Sequence, residues 1–540
     1  MRLINIHTLG FEEYAGDEVP EYAILSHRWN RKEITFAQYF KDGTEAGYGK
    51  IWDFCGATRR YNKYLEAAKL EARAEQPAIW ALLDIGACWN GTALYRHQQH
   101  QPGDEIAAVV DPDQRPIVSA RGQPLIDDVP LFDEHQFKDT WLWHERLSRV
   151  TLLSYIWIDT CCIDKHSSAE LSEAINSMYD WYHRARICFV YLSDVSWSGA
   201  SCGNGGKVGE TAIVPWLLED FRKSEWFSRG WTLQEMLASK CLIFCQSDWS
   251  FFAHRCLHTT GDRSTTLGEG DHHGKDCEWL PPTTDIHSQL SETTGIHREF
   301  FGSRAASAAQ VFSWMAKRRT TRPEDIAYCL LGLLDINMPL LYGEGTRAFR
   351  RLQEEVVRSK GDHTVFAFHS PNPGLFAPSP SEFIHSSNVT RRSRRPQDMI
   401  LGSGVLSLTA KAVRLEPPKA KQFIEEEWWL LPLDIDYSPT APTNHSLSRP
   451  FAIIIFRPKT SRIYHRIGQE PVAYRVKGFA TAMYMGGGEK TEDLKVKLPW
   501  WAQVPGPTTE VERTFVISLY NHFDARRLEE LTVVPGAGWA

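Results

Sequence analysis

No apolar run in this 540-residue chain approaches the roughly 18 residues that a membrane-spanning helix needs; Val150–Ile158, Ala327–Ile336 and Phe451–Phe456 all stop far short. Excess charge of one sign is also missing. Sixty Lys and Arg against 67 Asp and Glu leave a net charge of −7, so no global field draws the chain onto nucleic acid or anionic lipid. No Cys-x-x-Cys pair occurs among the 11 cysteines, an odd number scattered from Cys55 to Cys329, which argues against a secreted disulfide framework and a zinc ribbon. Met1–Phe11 lacks the continuous apolar core of a signal peptide. The expectation is a cytoplasmic protein with reduced thiols. What is present is ordinary for a soluble fold: 42% hydrophobic and 24% charged residues exclude wholesale disorder. The length suits about three to four domains on the usual ~150-residue scale.

The first half alternates short apolar strands with amphipathic helices. Tyr22–Ser26, Tyr155–Ile158, Ile187–Leu192 and Cys241–Cys245 read as buried strands. Between them, Ala57–Gln76 and a segment opening at Ser168 read as helices, the second with Leu171, Ala174, Ile175, Met178 and Tyr182 on one face. A shorter helix runs from about Thr232 to Ala238. Such alternation predicts an α/β fold, a parallel sheet with flanking helices, over residues 1–255. Residues 76–148 interrupt it with a polar, aperiodic stretch, a surface insertion or a translated intron. Residues 256–368 read as a loop followed by a helical extension with helices at Val311–Arg318, Pro323–Leu334 and Glu344–Lys360. A Pro/Ser-rich hinge is expected over 369–384, and strand-length runs separated by turn residues predict a separate all-β unit over 385–540.

Several eye-catching motifs fail on chemistry. Gly199–Thr211 lacks the Gly at one end and the Ser or Thr after Lys207 that a phosphate loop requires. His254, Cys256 and His258 with Cys241 and Cys245 fit no common zinc spacing, so no metal is expected. Adjacent Cys161 and Cys162 near His166 suit buried structural thiols better than a nucleophile. Arg391–Arg395 suits a solvated basic loop.

Three segments carry more. Tyr22–Trp29 (YAILSHRW), Tyr155–Lys165 (YIWIDTCCIDK) and Trp226–Met236 (WFSRGWTLQEM) each place polar groups beside apolar ones: Ser26, His27 and Arg28; Asp159 and Asp164; Arg229 and Glu235. In an open parallel sheet the carboxyl ends of the strands share one edge, where ligands bind. Two of the clusters follow strands directly, and the third opens a helix.

Together with Glu170–Tyr182, Arg322–Tyr328 and Met338–Gly345, these segments resemble the fungal heterokaryon-incompatibility (HET) domain family. The resemblance covers residues 1–75, 150–255 and 295–383. It departs from the family at His27, where Tyr is usual, and at the long insertion. HET domains are in turn similar to Toll/interleukin receptor (TIR) domains, some of which cleave NAD. That looser likeness implies a TIR-like, flavodoxin-like sheet and makes Glu235 the counterpart of the catalytic glutamate. Ser26, His27, Arg28, Trp29, Asp159, Asp164, Arg229 and Trp231 would then line the substrate site.

Cleaving the nicotinamide–ribose bond builds positive charge on the sugar, which one nearby carboxylate can stabilise without a metal or bound cofactor. NAD would be a substrate. The implied role is an effector of nonself-triggered cell death, with self-association or a separate sensor protein as partner. The alternative is a non-enzymatic, self-assembling signalling module of the same fold. Thr232-Leu-Gln-Glu235 also has the form of a helix capping box, and Asp159 and Asp164 also suit turns and caps.

Overall fold

The computed structural model describes residues 1–29, 33–39, 45–74, 150–196, 215–257, 283–368, 374–392, 399–402, 405–415, 426–437, 449–458, 465–466, 472–473 and 510–518. The 76–148 insertion, the loops at 199–211 and 259–278, residues 369–373 of the expected hinge and 393–395 of the basic cluster lie outside the described residues. The chain divides into two compact units, residues 1–227 with 238–293, and residues 228–237 with 294–540.

The first unit is built on an eight-stranded sheet in the order β2-β1-β4-β3-β5-β6-β7-β8. Four strands at its centre are parallel: β4 (Tyr155–Trp157), β3 (Tyr22–His27), β5 (Ile187–Tyr191) and β6 (Cys241–Cys245). They are the four apolar runs expected from the sequence, and Ala23, Ile24 and Leu25 are fully buried. The sheet as a whole is mixed rather than wholly parallel. β1 (Arg2–Asn5) and β2 (Phe11–Glu13) extend one side as antiparallel strands. β7 (Phe251–Cys256) runs antiparallel to β6 and is followed by β8 (Thr284–Asp285). The reason is connection length. Only Gln246–Ser250 separates β6 from β7, too short for a crossover, so the chain turns back as a hairpin, with Trp249 in the left-handed region at φ 65°.

Two helices of this unit matter for the site. Glu45–Ala74 begins a full three turns before the expected start and buries Ile51, Phe54, Cys55, Thr58, Tyr61 and Leu65 along one stripe. Ser168–Arg184 is capped by Ser167, whose hydroxyl accepts from the Glu170 N–H. It buries Ala174, Ile175, Met178 and Tyr182 as its periodicity requires, and the Tyr182 hydroxyl donates to the Leu25 carbonyl at 2.8 Å.

The second unit begins with the helix Trp231–Ala238, of which residues 231–237 belong here. Ala308–Met315 follows, opened by a reciprocal Ser307/Gln310 capping box, and Arg347–Lys360 packs beyond it. The expected helix over 323–334 is two short ones, Asp325–Tyr328 and Leu331–Leu334. From residue 389 onward the described elements are eight strands in one antiparallel sheet. In the strand Glu426–Tyr437, Trp429, Leu431, Leu433 and Ile435 are buried at the two-residue period of a strand with one covered face.

The helical extension and the β-rich region, expected to be separate, share this unit. The Ser307 hydroxyl donates to Val389 O at 2.6 Å and the Asp434 N–H donates to His363 Nδ1 at 3.1 Å. The described part of the expected hinge is packed rather than open. Leu375, Ala377 and Phe383 are buried, and the Gln353 amide both donates to Ala377 O and accepts from its N–H at 2.9 Å. Among the described residues no helix is long and apolar enough to cross a membrane.

Candidate functional site

Numbered along the chain, the four parallel strands stand in the order 2-1-3-4. The winding therefore reverses between β3 and β5, and in open α/β sheets ligands bind outside the carboxyl ends of the strands at such a reversal. His27 and Tyr191 are their last residues and pair with each other across the ladder. Asp159 lies two residues beyond the end of β4 at the same edge.

His27 is buried, with 2% of its surface exposed, and its Nε2 stands 3.4 Å from a Glu33 carboxylate oxygen. Lys50, from the first turns of Glu45–Ala74, forms an ion pair with the other Glu33 oxygen. Burial alone would raise the Glu33 carboxyl, but the imidazole contact and the charges of His27 and Lys50 outweigh it and hold the carboxyl at about 2. Burial also pushes the His27 imidazole down, against the pull of Glu33. At neutral pH the trio is a neutral imidazole, a carboxylate and an ammonium. Lys50 also lies 5.9 Å from the Tyr191 ring centroid, and Tyr191 stacks on Trp249 with centroids 4.4 Å apart.

Beside this trio, Trp29 is 42% exposed and is pinned through its indole N–H to Asp159 Oδ2 at 2.8 Å. The Lys165 ammonium sits 3.4 Å from the Trp29 ring centroid. The second Asp159 oxygen, Oδ1, is buried and has no hydrogen-bond partner among the described residues. Asp159 interacts electrostatically with His27, which links the two clusters. The edge thus offers two carboxylates, two ammonium groups, an imidazole and an exposed aromatic face.

The remaining expected residues of this unit are engaged in structural bonds. Ser26 is fully buried and its hydroxyl accepts from Trp226 Nε1 at 2.8 Å. Arg28 pairs with Glu225, both well exposed. Asp164 shapes the turn before Ser168–Arg184: its Oδ1 accepts from the His166 N–H and its own N–H donates to Glu170 at 2.8 Å. Among the described residues no group of three or more His, Cys, Asp or Glu converges as a metal site, and His254 Nδ1 meets the Thr283 hydroxyl at 2.9 Å.

Arg229, Trp231 and Glu235 belong to the second unit. Glu235 is 5% exposed and interacts electrostatically with the buried Arg318 guanidinium. That guanidinium donates to Arg229 O at 2.9 Å and to the Thr232 hydroxyl at 3.1 Å. Trp231 hydrogen-bonds to Asp325. Thr232 lies inside the helix, one residue past its start, so it does not hold the N-cap position that a Thr232/Glu235 capping box needs; its hydroxyl donates to Arg229 O.

Glu33, Lys50, Lys165 and Tyr191 escaped the sequence reading. Lys165 ended one segment already singled out, and Tyr191 lay inside another, Ile187–Leu192. Lys50 belonged to helical turns ahead of the expected Ala57 start, and only a longer helix would have brought it to the strand edge.

Residues 137–235 match the family model "Heterokaryon incompatibility protein (HET)". Over 211 residues, 38% of this chain, the sequence is 36% identical to the vegetative incompatibility protein HET-E-1 of Podospora anserina. This chain resembles the heterokaryon-incompatibility proteins. The match spans 13% of that HET-E-1 relative's length. No solved structure gives a significant match. The HET segment contains β4, β5, Asp159, Asp164 and Glu235, while His27, Trp29, Glu33 and Lys50 lie N-terminal to it and complete the edge.

Proposed function

We propose that this chain is a cytoplasmic effector of fungal heterokaryon incompatibility, a form of innate, nonself-triggered programmed cell death, and that its first unit cleaves NAD or a related nucleotide. The 2-1-3-4 order of the parallel strands supports a flavodoxin-like, TIR-like reading of the sheet. The observation that carries the reading is Asp159: one oxygen is fixed by Trp29 and the other is buried with no hydrogen-bond partner among the described residues, at the edge where such a winding binds ligands. A carboxylate with a spare oxygen can accept from ribose hydroxyls and offset the charge that grows on the sugar as nicotinamide departs. Lys50 and Lys165 suit phosphates, and the exposed Trp29 ring suits a base. Glu33 is a second carboxylate at this edge; Glu235 remains a candidate through the TIR likeness.

A non-enzymatic, self-assembling module is the second reading, with a copy of the chain or a sensor protein as partner. It is favoured by the cations already beside Glu33 and Glu235. Incubating the purified chain with NAD and measuring free nicotinamide separates the two. Release that falls by orders of magnitude in Asp159→Asn supports the enzyme. Cell killing with no nicotinamide release supports assembly.

A further inference from the structure

The described cysteines differ in access. Cys55, Cys161, Cys162, Cys188, Cys245 and Cys329 are at most 2% exposed, whereas Cys241 and Cys256 reach 7% and 8%. These two are also directly opposite each other, as the first residue of β6 and the last of β7. The Leu257 N–H donates to Lys240 O at 2.9 Å, so the adjoining pair 240/257 is the hydrogen-bonded one. Alternation along an antiparallel ladder then makes Cys241/Cys256 a non-hydrogen-bonded pair, whose Cα atoms lie roughly 4.5 Å apart with the side chains close. That spacing falls within the range of about 4.4–6.8 Å that a disulfide bridges without backbone movement.

Two further features bear on reactivity. Arg255, fully buried next to Cys256 in sequence, donates through Nη1 to Ser239 O at 2.9 Å and interacts electrostatically with Cys241 and Cys256, as it does with Cys188. Lys240, immediately before Cys241, is exposed, so the pair stands at the solvent end of its ladder.

We propose that Cys241 and Cys256 form a thiol–disulfide exchange site that takes low-molecular-weight disulfides of the glutathione class and closes into a cross-strand disulfide. One thiolate attacks a sulfur of the oxidised disulfide, forming a mixed disulfide and expelling one small thiolate. The second cysteine, losing its proton, attacks the protein sulfur of that bond and expels the second small thiolate. The two protein thiols are oxidised to one disulfide, and one small disulfide is reduced to two thiols that carry off both protons. The product ties β7 to β6 covalently within the first unit. The site is independent of the nucleotide reading and survives its failure.

The test is titration of the reduced full-length chain with glutathione disulfide, followed by non-reducing digestion and mass spectrometry. The expected product is one joined peptide pair, Cys241–Cys256, that grows with the ratio of oxidised to reduced glutathione and vanishes on reduction by dithiothreitol. Cys188 and Cys245 should stay free. Cys256→Ala should stop at a glutathione adduct on Cys241. Should that variant not fold, a transient adduct preceding the joined pair in the natural chain reports the same step. A folded chain whose Cys241 and Cys256 both remain free, or both carry glutathione without joining, overturns the proposal. So does indiscriminate pairing that includes Cys188 or Cys245.

Discussion

Replacing Glu33 by Gln probes the charge balance at the strand edge. The side chain keeps its size, but the carboxylate between His27 and Lys50 is gone. The folded protein holds this carboxyl at about 2, against an ordinary value of 4.5, because the imidazole contact and Lys50 outweigh the opposing effect of burial. Each tenfold change in proton affinity is worth about 1.4 kcal/mol, so the full linkage is about 3 kcal/mol where His27 is charged and smaller at neutral pH, where the imidazole is neutral and Lys50 supplies the facing charge. The Glu33 side chain keeps 11% exposure, and solvent screening reduces the expected loss to about 2 kcal/mol.

The sign follows from the depressed carboxyl. Glu33 stabilises the fold fully above its unfolded value of 4.5, and the contribution drains away as pH falls toward about 2. The natural chain and Glu33→Gln should therefore differ most at pH 6–8 and converge progressively below pH 4.5. Pulse-labelling hydrogen exchange in urea, read on the peptide covering Tyr22–His27, isolates this unit from the rest of a chain that need not unfold in one step. A midpoint unchanged by the substitution at pH 7 refutes a stabilising Glu33–Lys50 ion pair. A loss of the same size at pH 7 and pH 3 shows that Glu33 acts through packing alone.

Gly230→Ala should destabilise the second unit by about 1–3 kcal/mol, because an added Cβ would stand 2.6 Å from Thr320 Cγ2 and 2.7 Å from Met315 Cε; thermal unfolding measures it. Trp29→Phe removes the bond to Asp159 from an exposed side chain, so stability should fall by less than about 1 kcal/mol, while calorimetry should show a severalfold weaker nucleotide affinity if Trp29 bears the base. Gln353→Leu breaks both amide bonds to Ala377 and should make residues 374–383 a new site of limited proteolysis, which the natural chain should resist there.

The parallel core was legible because its strands are buried on both faces and so read as unbroken apolar runs: Ala23–Leu25 and Ile187–Val190 could be little else. The antiparallel additions were not. β1 and β2 are four- and three-residue strands with no repeating pattern, and β7 carries His254 and Arg255, whose polarity suggested a ligand cluster rather than a strand. The same limit hid the packing of 374–383, where Pro and Ser punctuate the very residues, Leu375, Ala377 and Phe383, that enter the core. At the site, His27 and Asp159 were found because chain position alone places them at or just past strand ends, whereas Tyr191, also at a strand end, read only as part of an apolar run. Glu33 and Lys50 are brought to His27 by a loop and a helix, and nothing local in the sequence marks that meeting.

The three candidate carboxylates differ in what they are free to do. A group that answers charge developing on a sugar must have an oxygen not already committed to a fixed cation. Glu33 has one oxygen on Lys50 and the other at His27. Glu235 is buried in the field of Arg318, itself fixed by Arg229 O and Thr232, and removing one charge from such a buried pair costs stability whatever its chemistry. A loss of activity in Glu235→Gln is therefore informative only alongside a measurement of folded protein. Asp159 is different: Trp29 orients it through one oxygen and the other is buried with no hydrogen-bond partner among the described residues, an arrangement that costs free energy in the free protein. A ribose hydroxyl reaching Oδ1 would recover that cost on binding. The enzyme reading thus stands or falls first at Asp159.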